Sequence, residues 1–310
     1  MEHRTVGRSG VEVSRLILGC GNFGGIGSSP AFFGQGETEE QAFEIMDAAW
    51  AAGITTFDTA DAYGGGRSET SIGNWLRSRG VRPTLTTKTF NPMEKGADSG
   101  LSRARIRRQV RTSLERLRVE RVALYLSHAM DPGTPVAETA AAFDELRREG
   151  TIGAWGGSNV DSAWIEAARP AWVQNSYSLL DRADEGSVIP LCAREGIGYS
   201  PFSPLAGGWL TGKYRRGEAA PPGSRMTLRP GPYEHLRDDR TFDALESLEA
   251  LADERETTTA VLAFAWLLAQ PDVTAVVVGP RSTEQLQPAL RALEIPLSQG
   301  EAESIAAVFR

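Results

Sequence analysis

Thr55-Thr56-Phe57-Asp58-Thr59-Ala60-Asp61-Ala62-Tyr63-Gly64-Gly65-Gly66 is the stretch of sequence that decides the fold. Its β-branched and aromatic beginning predicts a short buried strand, and its three glycines predict a tight turn before a helical pattern over residues 68–77. A strand that leads through a turn into a helix is the repeating unit of parallel α/β folds. The number of such units decides between an open sheet and a closed barrel.

Eight units of this kind follow one another along the chain. The predicted strands are residues 16–18, 55–58, 84–87, 122–127, 152–156, 172–174, 198–200 and 274–278. A capping box of Thr38 and Gln41 begins the first helix, and helical patterns follow over 68–77, 102–117, 136–149, 162–168, 188–194, 239–255 and 282–293. Eight alternating units favour a (β/α)8 TIM barrel, with an open doubly wound sheet as the alternative. We expect residues 1–310 to form a single domain.

Composition excludes several classes of function. The 310 residues carry a net charge of -7, which disfavours nucleic-acid binding, and the arginines of residues 103–118 are predicted to form the solvated face of an amphipathic helix. Three histidines and two cysteines, without metal-binding spacing, predict no metal site. Residues 260–269 are the longest apolar run and are too short to span a membrane. We expect a cytoplasmic protein, and the sequence does not define its oligomeric state.

Four polar residues follow consecutive predicted strands. Asp58 ends the second strand, Tyr63 lies five residues later, Lys88 ends the third strand and His128 ends the fourth. Because parallel strands place their carboxyl ends at one rim of a barrel, we expect the four side chains to converge there. Two long stretches without periodicity, residues 22–37 and 214–238, are predicted to be loops at the same rim.

These residue types suit proton donation to an alkoxide. A lysine charge beside a tyrosine lowers the pKa of the phenol, a carboxylate holds the lysine, and a histidine can bond a carbonyl oxygen. Taken singly, Asp58 is also explained as a turn cap, Lys88 as a solvated strand end and His128 as a hydrogen-bonded rim histidine. The occurrence of all four at successive strand ends favours the catalytic interpretation.

The sequence resembles the aldo-keto reductase family. The resemblance rests on residues 57–64, Thr87-Lys88 and residues 124–128, which match a four-residue catalytic motif, and it extends over essentially the whole chain. It also includes residues 4–14, similar to a β-hairpin that closes the barrel floor, and residues 157–159, 174–180, 205–214 and 279–282. It implies reduction of an aldehyde or ketone to an alcohol, with Tyr63 as the general acid.

The resemblance implies a nicotinamide cofactor and the residues that hold it. Ser158, Asn159 and Gln174 would bind the carboxamide, and Phe202 would stack on the ring. Directly after Arg281, the residues Ser282 and Gln285 have the spacing of a capping box. This predicts a helix N-terminus suited to the 2'-phosphate of NADPH. The full set of expected cofactor contacts is Ser158, Asn159, Gln174, Phe202, Ser203, Leu205, Gly279, Arg281, Ser282 and Gln285. Pro288 departs from the family pattern, which leaves NADH as the alternative cofactor.

Two rival functions remain open. The fold also resembles the β-subunits of potassium channels, so a non-catalytic nucleotide sensor or regulatory subunit is one alternative. A metal-dependent barrel hydrolase is a weaker one, because the histidines are few. The sequence does not identify the carbonyl substrate or the physiological direction of the reaction.

Overall fold

Eight parallel strands form the barrel in the computed structural model, which describes residues 1–309. The ten strands are β1 (His3–Thr5), β2 (Glu12–Ser14), β3 (Leu16–Gly19), β4 (Thr56–Asp58), β5 (Thr84–Thr89), β6 (Val122–Ser127), β7 (Ile152–Ser158), β8 (Trp172–Ser176), β9 (Gly198–Phe202) and β10 (Val276–Val278). The sheet order is β10-β3-β4-β5-β6-β7-β8-β9. Thr274 N, just before β10, donates to Tyr199 O in β9 at 2.8 Å and connects the two ends of this sheet. The (β/α)8 prediction is confirmed.

The N-terminal hairpin lies beneath the barrel, as predicted. Strands β1 and β2 pair antiparallel, with Arg4 opposite Val13. Val6 and Val13 are fully buried and pack in one cluster with Trp172 and other side chains of the barrel interior. Gly7 has φ +48, and a Cβ there would lie 2.5 Å from Gly196 O, so only glycine permits this close approach. The hairpin therefore closes the barrel floor.

Eleven α-helices lie within residues 1–309. They are α1 (Glu39–Ala51), α2 (Arg67–Arg79), α3 (Arg103–Leu117), α4 (Val136–Arg148), α5 (Ser162–Ala168), α6 (Val188–Glu195), α7 (Arg225–Leu228), α8 (Asp239–Glu254), α9 (Thr259–Ala269), α10 (Gln287–Ala292) and α11 (Gln299–Ala307). The capping box of Thr38 and Gln41 begins α1 as predicted. None of these helices is long and apolar enough to cross a bilayer.

Helix α3 is amphipathic, with one exception to the prediction. Ile106, Val110 and Leu117 face the core, and most of its arginines are exposed or half-buried. Arg105 instead points inward, because its guanidinium donates to Thr89 Oγ1 at 2.8 Å and to Asn91 O at 2.7 Å. The expectation that every arginine of this helix is solvated was wrong at Arg105.

The predicted helix over residues 282–293 is divided. A 3-10 turn occupies Glu284–Leu286, and α10 begins only at Gln287 with Pro288 in its first turn. The expected capping box of Ser282 and Gln285 does not form, because Gln285 Oε1 accepts from Arg281 N at 3.0 Å. Proline lacks an N–H and has a fixed φ, so it suits the beginning of a helix and sets that beginning beyond Ser282. The helix-start prediction at Ser282 was therefore wrong.

The two predicted rim loops contact each other. Arg225 Nη2 donates to Asn22 Oδ1 at 3.2 Å, and the Arg229 guanidinium lies 5.6 Å from the centre of the Phe32 ring. The second loop is less irregular than its sequence suggested, since it contains α7 and a 3-10 turn over Gly231–Leu236. Its Met226 and Leu236 are buried in the main core, so only part of the loop is free of the barrel.

Candidate active site

The four side chains predicted from the strand ends meet at one rim of the barrel. Lys88 Nζ donates to Asp58 Oδ1 at 2.5 Å and to Tyr63 Oη at 3.4 Å. Tyr63 Oη lies 3.4 Å from His128 Nε2. Strands β4, β5 and β6 are neighbours in the sheet, so their ends bring Asp58, Lys88 and His128 together. Tyr63 completes the group from the turn after β4.

The turn that carries Tyr63 depends on its glycines. Gly64, Gly65 and Gly66 have φ values of 58°, 68° and 91°, in the left-handed region that favours glycine. A Cβ on Gly64 would lie 2.7 Å from Phe23 O, which belongs to the first rim loop. Arg67 Nη1 donates to Gly64 O at 2.6 Å. The chain can therefore turn sharply after β4 and place the Tyr63 ring over Lys88.

Lys88 is a fully buried cation with several polar partners. Besides Asp58 and Tyr63, it donates to Thr59 O at 2.9 Å. Burial acts to lower the pKa of Lys88, but the neighbouring Asp58 and Tyr63 outweigh this and raise the pKa above its usual value. The side chain therefore remains a charged ammonium group.

The pKa of Tyr63 differs in direction from the sequence expectation. Burial raises the pKa of the phenol, and the charge of Lys88, which acts to lower it, does not overcome burial. The expected net lowering by Lys88 was wrong, because the ring is enclosed by protein and burial has the larger effect. The phenol therefore keeps its proton through the neutral range, as a proton donor must.

His128 is a neutral imidazole in this environment. Burial and the charge of Lys88 lower the pKa of His128 well below its usual range. Its Nδ1 is buried and has no hydrogen-bond partner within residues 1–309. Asn159 Nδ2 donates to the main-chain oxygen of His128 at 2.8 Å and ties β6 to the residue after β7. A neutral imidazole beside Tyr63 can donate a hydrogen bond to an oxygen atom at this point.

The residues expected to hold a nicotinamide lie beside these four side chains. Gln174 in β8 donates through Nε2 to Asp58 Oδ2 at 2.9 Å, and Ser158 at the end of β7 is 1% exposed. Asn159 Nδ2 lies 3.2 Å from Ser158 Oγ. Phe202 is half-buried at the end of β9, which pairs with β8 at Ser176. The structure thus brings amide groups and an aromatic ring to the same rim.

Ser203, Leu205 and Gly279 lie farther along this rim. Ser203 has φ 53, an uncommon value for a serine, and its Oγ lies 3.0 Å from Tyr233 Oη in the second rim loop. Leu205 is half-buried and begins the turn that follows β9. Gly279 is exposed directly after β10. A backbone held at an unusual φ at a barrel mouth is typical of a functional site.

Arg281 is already paired in this structure. Its Nε donates to Glu37 Oε1 at 2.6 Å and its Nη1 to Gly223 O at 3.1 Å, so it joins three loops. Ser282 is half-buried, and Gln285 is exposed with its side chain on Arg281 N. These three residues are brought together as expected, but the helical segment begins at Glu284 with a 3-10 turn and not directly after Arg281.

Two cations at this rim were not predicted from the sequence. Arg225 is half-buried and Lys213 is exposed, and neither has a carboxylate within 4.0 Å among residues 1–309. Burial and repulsion from Arg229 and Arg281 lower the pKa of Arg225. Lys213 could have been suspected from the sequence, because the chain has only three lysines and this one lies in a glycine-containing loop after β9. Arg225 could not, since its loop has no periodicity that would orient it.

Comparison with known proteins gives the chain a family. The sequence profile described as "Aldo/keto reductase family" matches residues 15–310. The chain is 36% identical to "Uncharacterized oxidoreductase YrpG" of Bacillus subtilis, with 96% of this chain and 93% of the relative covered. It is 32% identical to "NADH-specific methylglyoxal reductase" of Escherichia coli, with 97% and 96% covered. It is 33% identical to "Probable voltage-gated potassium channel subunit beta" of Oryza sativa, with 95% and 92% covered.

A solved structure supports the same assignment. The glycerol dehydrogenase of Gluconobacter oxydans superposes with a TM-score of 0.84 at 25% identity, covering 99% of this chain and 94% of that protein. The family profile, the relatives and the barrel agree with the resemblance drawn from the strand-end motif. The chain therefore belongs to the aldo/keto reductase family of oxidoreductases.

Proposed function

We propose that this protein reduces an aldehyde or ketone to an alcohol, with Tyr63 as the proton donor and with NADPH or NADH as the cofactor. The observation that carries the proposal is the contact series from Asp58 through Lys88 and Tyr63 to His128 at the barrel rim. We further propose that residues 1–310 act as one domain. Family membership alone does not define a reaction, whereas the chemistry of these side chains does limit it.

Tyr63 would donate a proton to the substrate oxygen as that oxygen becomes an alkoxide. Its pKa is raised by burial, so the phenol is protonated before the reaction. Lys88 lies 3.4 Å from the phenol oxygen and carries a positive charge that stabilises the tyrosinate left behind. Asp58 keeps this charge in place through a bond of 2.5 Å. The reverse path would oxidise an alcohol.

His128 would orient the substrate. Its Nε2 and the Tyr63 hydroxyl are 3.4 Å apart, so a carbonyl oxygen could accept a hydrogen bond from both. A neutral imidazole suits this role, because a charged one would repel Lys88, and His128 has a strongly lowered pKa. Distances of 3.4 Å are long for hydrogen bonds, and catalytic contacts often shorten when substrate binds.

The chemistry of the rim residues fits a nicotinamide cofactor, which when bound would supply the hydride. Amide groups of Asn159 and Gln174 and the hydroxyl of Ser158 match a carboxamide, and the Phe202 ring offers a face for stacking. Among residues 1–309, Lys213 and Arg225 have no carboxylate within 4.0 Å, and their charges match a pyrophosphate. Ser203, Leu205 and Gly279 follow β9 and β10 at the same rim.

Arg281 is the candidate for the 2'-phosphate of NADPH. A guanidinium binds phosphate oxygens through directed, charge-assisted hydrogen bonds, and Ser282 offers a hydroxyl beside it. The 3-10 turn at Glu284 weakens the earlier argument from a helix N-terminus, so the guanidinium carries more of the proposed interaction. One relative is named as NADH-specific, which keeps NADH as the alternative.

The proposed function is tested by following oxidation of NADPH and of NADH against a panel of carbonyl compounds. The names of the relatives suggest starting with 2-oxoaldehydes and oxidised polyols, followed by sugars and steroids. We expect turnover with at least one class of carbonyl. Tight cofactor binding without turnover across the panel would contradict the proposal and favour a regulatory subunit, the role in the name of the rice relative.

A further inference from the structure

Glu37 is a buried carboxylate at the edge of the candidate cofactor site. It ends the first rim loop and is 4% exposed. Its main chain is fixed, because Glu37 N donates to Asn22 O at 2.9 Å and Gly24 N donates to Glu37 O at 2.9 Å. The residue therefore cannot swing into solvent without disturbing the loop that also contacts the Tyr63 turn.

The carboxylate of Glu37 forms an ion pair with the Arg281 guanidinium, which is the group proposed to bind the 2'-phosphate. Arg281 Nε donates to Glu37 Oε1 at 2.6 Å, and Glu37 is far less exposed than Arg281, 3% against 37% for the side chains. Glu37 Oε2 is buried and has no hydrogen-bond partner within residues 1–309. Arg281 is the cation that is hydrogen-bonded to the carboxylate, and the charge of Arg225 acts on Glu37 only from beyond 4.0 Å.

The other cations of this rim have no such partner. Lys213 and Arg225 lie close enough to Arg281 to feel its charge, and neither is paired with a carboxylate among the described residues. An anion common to both cofactors can therefore bind to two unpaired cations. An additional phosphate on the 2'-oxygen would instead meet a cation whose charge is already balanced.

A phosphate at Arg281 would also lie near the Glu37 carboxylate. Like charges a few ångströms apart repel, and partial burial limits screening by water and salt. Releasing Arg281 to the phosphate alone would leave a buried carboxylate without its cation, which is strongly unfavourable. In either case, Arg281 contributes less to the binding free energy of the 2'-phosphate.

We propose that Glu37 sets cofactor specificity: by neutralising Arg281 it removes most of the preference for NADPH, so that NADPH and NADH bind with similar affinity. The proposal rests on the function proposed above and concerns the same site. Glu37 lies in the first rim loop, outside both the catalytic motif and the residues after β10.

The test is to titrate both cofactors into the wild type, Glu37→Gln and a control by tryptophan fluorescence at about pH 8. Burial raises the pKa of Glu37 and Arg281 acts to lower it, so a pH well above the usual range of a carboxyl group favours the ionised form. Glutamine keeps the size of the side chain and an acceptor for Arg281 but removes the negative charge. Glu44→Gln is the control. It removes the same charge, and Glu44 is exposed on the adjacent α1.

We expect wild-type dissociation constants for the two cofactors within about tenfold of each other, and a shift of Glu37→Gln toward NADPH on the order of tenfold. Glu44→Gln should leave the ratio unchanged, and Glu37→Asp, which keeps the charge, should not reproduce the shift. Weaker NADPH binding by Glu37→Gln, or an unchanged ratio, would overturn the proposal.

The wild-type ratio decides the matter even if Glu37→Gln does not fold. A wild-type preference for NADPH of more than about 100-fold would show that Glu37 does not neutralise Arg281 during binding. If neither cofactor binds the wild type, the proposed function fails. If both bind but the ratio is insensitive to Glu37, only the present inference fails.

Discussion

Gln174 donates its side-chain amide to Asp58 Oδ2 at 2.9 Å, although the two residues are 116 positions apart in the sequence. Asp58 holds Lys88 with its other oxygen, so Gln174 links the proposed nicotinamide site to the proposed proton-donor group. The bond satisfies a carboxylate oxygen that is almost completely buried, since Asp58 is 2% exposed. The two halves of the site are therefore connected through the Asp58 carboxylate.

Replacing Gln174 by leucine should destabilise the fold. The buried Asp58 Oδ2 would lose its donor, which costs about 1 to 3 kcal/mol of unfolding free energy, measurable by urea denaturation. Gln270→Leu is the matched control, because the Gln270 amide donates at 3.0 Å to Trp266 O, a main-chain oxygen, at a partly buried position. We expect a smaller loss there, and equal losses in the two variants would contradict this account of Gln174.

Asp61 should make the protein less stable as the pH rises. Burial raises the pKa of Asp61 to about 7, and nearby Glu69 acts in the same direction, against Thr89 and Arg105. Between about pH 4, where the unfolded carboxyl ionises, and about pH 7, the folded state retains a proton that the unfolded state loses. Stability from this group is therefore present at low pH and is lost as the pH rises to about 7.

Asp61→Asn should remove that dependence. Asparagine keeps an oxygen to accept from Thr89 Oγ1, which bonds Asp61 at 2.7 Å, and it carries no charge. We expect the variant to be more stable than the wild type at pH 7, by up to about 4 kcal/mol from the linkage relation, and nearly equal to it at pH 4. Denaturant titrations at the two pH values measure this, and a constant difference would argue against a protonated Asp61.

Arg281→Ala should weaken binding of NADPH and leave NADH nearly unchanged. A charge-assisted hydrogen bond contributes about 1.5 to 3 kcal/mol, or roughly tenfold to 150-fold in affinity. The expected loss is at the upper part of this range, because Glu37 would remain without its cation. Arg291→Ala, an exposed arginine on α10, is the control in fluorescence titrations. An equal loss for both cofactors would mean that Arg281 has a structural role.

Arg225→Ala should weaken the binding of NADPH and of NADH to a similar degree. Arg225 has Asn22 Oδ1 as its side-chain hydrogen-bond partner within residues 1–309, so its charge is available to a group that NADPH and NADH share. We expect a loss of about tenfold for each in isothermal titration calorimetry. Selective loss of NADPH would instead place the 2'-phosphate at Arg225.

The sequence predicted those parts of the molecule that depend on local patterns. Eight strands were recognised from β-branched runs, and Asp58, Lys88 and His128 could be placed together because each follows a strand that ends at the same rim. Arg225 and Glu37 could not be placed, because the paths of long loops depend on tertiary contacts that have no period in the sequence.

The capping box predicted at Ser282 and Gln285 also shows that a local sequence pattern does not by itself determine the structure. Ser282 and Gln285 have the correct spacing, yet Pro288 sets the beginning of α10 five residues beyond Ser282. Arg105 illustrates a related error: it lies 3.6 Å from the exposed Asp98, with which Arg108 also pairs, but its guanidinium is buried against main-chain oxygens of the loop before α3. A nearby proline determined the first outcome, and contacts with a neighbouring loop determined the second.

Turnover of Tyr63→Phe, compared with its cofactor affinity, tests the central claim most directly. Phenylalanine keeps the ring over Lys88 but removes the hydroxyl that lies 3.4 Å from both Lys88 Nζ and His128 Nε2. Tyr125→Phe is the control, because the Tyr125 hydroxyl is buried without a partner within residues 1–309. With a carbonyl substrate from the panel, Tyr63→Phe should lose roughly 100-fold to 10,000-fold in kcat while cofactor binding changes little. Turnover close to that of the wild type would contradict Tyr63 as the proton donor.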